Sequence, residues 1–212
     1  MSNILSLDPG KEFFAWCLVS DRGKVIDFGM MPKTITDIRD MYANSQVKKF
    51  RKAMRKLVLG FKDLHEIAME RFQQRPGKGG GANAEFINIM IGVVATICVE
   101  LNLRVTLVQA STWKNHMASR YSPKLPAKPT KSGKPGRPTA LKQTQAERYG
   151  YRVSKTSKTA PIKDHEFDAI GIAQWVIEKN LERDMMPTFK KQLDSIWKAR
   201  DAKKQRRGKS RK

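Results

Sequence analysis

"ILSLDPG", residues 4–10, is an apolar, β-prone run that stops at an aspartate, and its reading decides the fold. Asp-Pro-Gly is an ordinary turn signal, because proline pre-sets its own φ and glycine accepts a positive one. That explains the turn and leaves open whether the Asp8 carboxylate has a second role. The answer depends on which other acids the fold brings beside it.

Working outward, residues 3–31 read as three short apolar runs, "NILSLD", "FFAWCLVS" and "KVIDFGMM", separated by "PGK" and "DRG" turns. Such a pattern predicts an antiparallel meander. Residues 34–59 place Ile35, Ile38, Tyr42, Val47, Phe50, Met54, Leu57 and Val58 mostly three or four apart with basic residues between, the mark of an amphipathic helix interrupted near Asn44. "EIAMERF" (66–72) reads as a strand, "RPGKGGG" as a loop, and Ala82–Asn102 as a helix apolar nearly all round. A helix of that kind is buried or faces a partner. "RVTLVQ" is a further strand. Strand, helix, strand in this order predicts an α/β chain with one mixed five-stranded sheet, a meander followed by parallel strands, flanked by helices.

Beyond Met117 the composition changes. "SRYSPKLPAKPTKSGKPGRPT" is rich in Lys, Pro, Gly and Ser and reads as a mobile basic insertion over about 118–138. Helical character returns over 139–149, and "DHEFDAIGIAQWVIEKNLE" (164–182) is a clear helix. A short helix is expected over 189–198, followed by the mobile basic tail "KARDAKKQRRGKSRK". The expected division is a domain over 1–182 and a C-terminal helix with its tail over 183–212.

The chain has 212 residues, enough for one domain with a substantial core. Its 42 Lys and Arg against 20 Asp and Glu give a formal charge of +22, although its apolar fraction of 40% is ordinary. Such a chain repels itself unless it meets a polyanion, and nucleic acid is the expected one. No apolar run approaches the roughly 20 residues of a membrane span, and the N-terminus lacks the order of a signal peptide, so no membrane partner and a cytoplasmic location are expected. Cys17 and Cys98 sit in separate apolar segments and read as core residues rather than a disulfide or a zinc site. "PGKGGG" lacks a GK[ST] ending after a strand, so no nucleotide cofactor is expected.

In so basic a chain, acids lodged in core elements are the informative residues. Asp8, Glu70 near the end of "EIAMERF", and the "DHEFD" cluster stand out. Asp164, His165 and Asp168 are neighbours on one helical face. Taken singly, Asp8 is a turn residue, Glu70 a strand-end charge and Asp164 a helix N-cap. Together they are the oxygen-rich set that a two-metal phosphodiester site requires.

In this order the motifs resemble RuvC-type Holliday junction resolvases, whose core has the RNase H-like fold. "ILSLDPG" resembles the family's opening strand and its first catalytic aspartate, "IAMER" the strand with the catalytic glutamate, and "HEFDAIGIA" the last motif. "ANAEFINIMIGVVATIC" resembles the long helix, its glycine matched by Gly92. The resemblance implies that Asp8, Glu70, His165 and Asp168 are catalytic and hold two Mg²⁺ or Mn²⁺ ions per site, with Asp164 the alternative to His165. It implies a homodimer, joined through the Ala82–Asn102 helix, that cuts branched DNA. With the basic insertion, it points to a bacteriophage enzyme in an infected bacterial cell.

For DNA contact the resemblance points to Lys114 and Lys142, and to Phe72 as the aromatic that wedges the junction. Arg71, Arg75 and Lys78 flank the loop after Glu70 and add phosphate-binding charge. Two other readings fit the same residues: a nuclease of this fold acting on structured RNA, and a catalytically silent protein that binds branched DNA.

Overall fold

The computed structural model describes residues 2–10, 14–31, 45–71, 81–121, 144–153 and 160–209. Five strands, β1 (Asn3–Pro9), β2 (Phe14–Ser20), β3 (Val25–Met31), β4 (Leu64–Arg71) and β5 (Arg104–Gln109), form one sheet in the order β3-β2-β1-β4-β5. β2 is antiparallel to β1 and to β3; β4 is parallel to β1 and to β5. This is the mixed sheet expected from the sequence.

β1 lies in the middle and is covered on both faces, which is why it reads as a nearly unbroken apolar run. Side chains alternate along it. Leu5 and Leu7 face a layer made by α1 (Ser45–Leu59) and α2 (Gly81–Glu100), with Phe50, Met54, Phe86 and Val94 buried there. Ile4 faces the opposite layer, where β2 and β3 pack on α5 (Asp164–Leu181) and α6 (Met186–Lys209). Ser6 is on that same face, and its buried hydroxyl donates to the Ala169 carbonyl of α5 at 2.7 Å. The bond ties the strand that carries Asp8 to the helix that carries Asp168. Cys17 and Cys98 are both buried and unpaired with each other, as expected.

Two expectations need correction. A helix not read from the sequence, α3 (Ala110–Tyr121), starts directly from β5. Residues 118–121, assigned to the insertion, belong to this helix because Arg120 and Tyr121 bond to Glu178 of α5. The C-terminal helix runs over Met186–Lys209 rather than 189–198, so basic residues expected in a mobile tail are helical. Gln192 clamps the β2–β3 turn by accepting from Val25 N at 2.7 Å and donating to Gly23 O at 2.9 Å. Arg200 then lies 4.0 Å over the Phe28 ring, and the Lys, Arg, Gln and Ala residues that follow are good helix formers. Of the helix expected over 139–149, the described part is the short turn α4 (Gln145–Arg148), which opens on a Thr144–Glu147 capping box. Residues 34–44 and 122–143 lie outside the described residues. Among the described residues no helix is long and apolar enough to cross a membrane.

Ser6→Ala should lower stability by about 1 kcal/mol, the usual net worth of a buried neutral hydrogen bond. Urea unfolding checks this; an unchanged midpoint would show that the tie between β1 and α5 contributes nothing.

Candidate active site

β1 and β4 run parallel and pair from Ile4↔Glu66 to Leu7↔Met69, so the next step of the register sets Asp8 beside Glu70 at the C-terminal ends of both strands. The two-residue alternation puts both on the face covered by α5. Glu66 shares that face four residues earlier, but it is satisfied by Thr106, whose hydroxyl donates to it at 2.6 Å. The acids that matter are those at the strand ends.

α5 brings the rest. His165 stands in its first turn, and Asp168 follows three residues on, on the same face. His165 Nδ1 donates to Asp8 Oδ2 at 3.1 Å. That hydrogen bond is the main reason the imidazole holds its proton to higher pH than usual, against the opposing effect of burial. The helix start differs from the expected one. Lys163 is the N-cap residue, its backbone N–H donating to Glu166 Oε2 at 2.6 Å, while Asp164 is the first helical residue and is buried. Asp164 therefore has no capping duty that would exclude it from the site.

α3 supplies two donors to Glu70. Trp113 Nε1 donates to Glu70 Oε2 at 2.9 Å, and Lys114 Nζ lies 3.2 Å from the same oxygen. Lys114 Nζ is also 3.9 Å from Asp168 Oδ2. One ammonium thus sits among carboxylates from a strand and a helix. Burial lowers its proton affinity, but Asp168, Glu70 and Asp8 together outweigh that and hold it above the usual lysine range. Asp168 is raised as well, which for a carboxylate disfavours the charged form: burial and repulsion from Asp8 push it up to about 7, despite Lys114.

Gly171 explains how α3 comes so close. A Cβ at this position would meet the Trp113 ring and the Gln145 side chain at 2.9 Å, so only glycine lets both pack onto α5. The other end of α3 is held by the buried Glu178 carboxylate. It accepts from His116 Nε2 at 2.8 Å, Tyr121 Oη at 2.5 Å, Gln174 Nε2 at 2.7 Å and the Met185 N–H at 3.1 Å. Burial alone would raise this carboxyl, but those hydrogen bonds hold it below its ordinary value. A recess of about 200 Å³ opens beside Asp168, lined by Trp113, Lys114, Thr144, Gln145, Arg148 and Asp164.

No protein-family model matches the chain, and no curated protein does either. Solved structures do match. Thermus thermophilus RuvC in complex with a Holliday junction substrate aligns at a TM-score of 0.54 and 14% identity, over 86% of this chain and 96% of that one. The yeast mitochondrial Holliday junction resolvase Ydc2 aligns at a TM-score of 0.58 and 16% identity, over 91% of this chain and 84% of its own. The fold is the RNase H-like fold of RuvC-type resolvases. Within it, Asp8, Glu70, His165, Asp168 and Lys114 are brought together at one end of the sheet. Arg71 is exposed at the end of β4, just past Glu70. Phe72, Arg75, Lys78 and Lys142 lie outside the described residues.

Sequence reasoning missed Trp113, Arg148, Gly171 and the Glu178 cluster. Trp113 reads as a core aromatic, which it also is, and nothing in its spacing reveals the Glu70 bond. Among the described residues no three His, Cys, Asp or Glu side chains converge closely enough to hold a metal ion as they stand. The chemistry nevertheless suits one: hard carboxylate oxygens with an imidazole beside them fit Mg²⁺ or Mn²⁺. A cation already bridges Glu70 and Asp168 in the form of the Lys114 ammonium.

Lys114→Met should therefore leave a site that depends on an added cation. The variant is expected to melt below the wild type in chelator and to gain more in Tm from Mn²⁺ than the wild type does. Equal gains in both proteins would show that Lys114 and the ion do not share the carboxylates.

Proposed function

We propose that this protein is a metal-dependent endodeoxyribonuclease that resolves four-way junctions and other branched DNA by paired phosphodiester hydrolysis. One observation carries the reading: Asp8, Glu70 and Asp168 gather with Lys114 at the carboxyl ends of adjacent parallel strands. The fold that puts them there aligns over 86% of this chain with a RuvC structure in complex with a Holliday junction substrate.

Asp8, Glu70 and Asp168 would hold the ions, with His165 or Asp164 completing the set. Bound divalent ions supply a more acidic water and charge neutralisation at the phosphate. The protein's own part is mostly positioning. Trp113 fixes one oxygen of Glu70 and leaves the other available as a ligand. Asp8 orients His165 and favours its protonated form, so the imidazole is placed to pass a proton to or from water or the leaving oxygen. Lys114, 40% exposed, has the length to exchange its carboxylate partners for a backbone phosphate.

Resolution takes two symmetric cuts, which a two-fold dimer provides. α2 offers a surface for it. Val99 is 81% exposed, and a Cβ at Gly92 would have no neighbour within 4 Å, so nothing within the described chain requires glycine there. Mid-helix glycine costs roughly 1 kcal/mol relative to alanine, a cost that close approach of a second α2 would offset.

Asp8→Asn and Asp168→Asn should each abolish nicking of a labelled four-way junction in Mg²⁺, while binding holds or tightens because a charge that repels phosphate is gone. Junction, linear duplex and structured RNA are compared side by side, with Mg²⁺ and with chelator. Preferred cutting of RNA would reassign the substrate, and near-normal cutting by either variant would remove the residue from the site. Separately, Gly92→Lys with Val99→Glu should sediment as a monomer where the wild type sediments as a dimer. A wild type that is itself monomeric when bound to a junction would overturn the two-fold account.

A further inference from the structure

The second layer of the protein carries a charge pattern that the carboxylate site does not use. α1 presents Lys48, Lys49, Arg51, Lys52, Arg55 and Lys56 to solvent and contains no acid at all. Its opposite side is settled by packing, since Phe50, Met54 and Val58 are buried against the sheet and α2. At 3.6 residues per turn, Lys48, Lys49, Lys52 and Lys56 fall within about 100° of the helix circumference, centred directly away from that buried side. Arg51 and Arg55 lie toward α2 and are both engaged by Glu100, at 2.5 and 3.8 Å. The arginines are thus partly neutralised within the fold, while the lysine row meets no acid on its own helix.

Stability does not account for the row. Like charges four residues apart repel on a helix, and α1 has no acid in its first turn to complement its dipole. The arrangement suits a ligand with many regularly spaced negative charges. From Lys48 to Lys56 the axis rises about 12 Å, roughly three nucleotide steps along one strand of a duplex.

The position narrows the ligand. α1 leads into β4, and Phe50 in its N-terminal half packs at 5.4 Å on Phe14, the β2 partner of Pro9, so that half of the helix lies toward the end of the sheet where Asp8 and Glu70 stand. Its lysines, however, point outward from the layer opposite to α5. A ligand that touches both the carboxylates and the lysine row has to turn over the end of the sheet, as an arm that leaves a branch point can.

We propose that the α1 lysine row is a second nucleic-acid surface, which binds the phosphate backbone of a DNA arm other than the one being cut. The inference rests on the reading of the protein as a branched-DNA nuclease, and its test separates the two. Lys48→Gln, Lys52→Gln and Lys56→Gln are combined in one variant, with circular dichroism and Tm as the check on folding. Removing repulsion should leave Tm equal or higher. Binding to a catalytically blocked four-way junction, measured over a range of salt, should weaken about tenfold, and the slope of log K against log salt should fall by about two to three. The nick position and the single-turnover nicking rate at saturating protein should be unchanged. An unaltered salt slope, or a slower saturated nicking rate with unaltered affinity, would overturn the α1 proposal while leaving the nuclease reading intact. Failure of the wild type to bind the junction would overturn both.

Discussion

Carboxylates that face one another across a partly buried site repel unless a positive charge lies among them. Asp8, Glu70 and Asp168 come from two strands and a helix, and burial, with repulsion from Asp8 next, drives the Asp168 carboxyl up to about 7. Lys114 is the cation that the chain itself supplies, 3.2 Å from Glu70 and 3.9 Å from Asp168. Much of the surrounding structure serves to hold that ammonium in place. Gly171 lets Trp113 and Gln145 press onto α5, and Glu178 fastens the far end of α3 through His116, Arg120 and Tyr121. The Ser6 bond to Ala169 fixes α5 over β1. On the proposed reading, a divalent ion takes the place of the Lys114 ammonium among the carboxylates, and the lysine turns to a phosphate.

The sheet was legible in the sequence because its strands alternate or run apolar between unambiguous Gly and Pro turns, as "ILSLDPG" does. Asp8, Glu70 and Asp168 were legible as acids at the ends of core elements, and the structure brings them together. What escaped was set by tertiary contact rather than by local pattern. α3 carries only Trp113, Met117 and Ala118 as buried residues, too few to announce a helix, and its end is decided by a carboxylate on another element. The capping role given to Asp164 was wrong because Lys163 takes that place, with Glu166 reaching back to its N–H. The C-terminal helix outran its expected end because Gln192 and Arg200 dock it on β2 and β3, and neither residue looks apolar enough to mark a core.

The surplus of positive charge is not spread evenly over function. Lys114 is drawn among the carboxylates, Arg200 braces α6 against Phe28, and Arg51 with Arg55 clamps Glu100, so these serve the fold or the site. The α1 lysines do neither, and are exposed on the layer opposite α5. On the proposed reading, a cationic row on the layer opposite the carboxylate site suits diverging arms better than a single rod.

The most direct measurement is Mn²⁺ binding followed by electron paramagnetic resonance near neutral pH, comparing the wild type with Asp8→Asn, Glu70→Gln, Asp168→Asn and Lys114→Met. If the four residues surround one cation site, each of the first three substitutions will sharply reduce Mn²⁺ binding, and Lys114→Met will tighten it. Mn²⁺ binding that is indifferent to Asp8, Glu70 and Asp168 would contradict the account, whatever cleavage the protein shows.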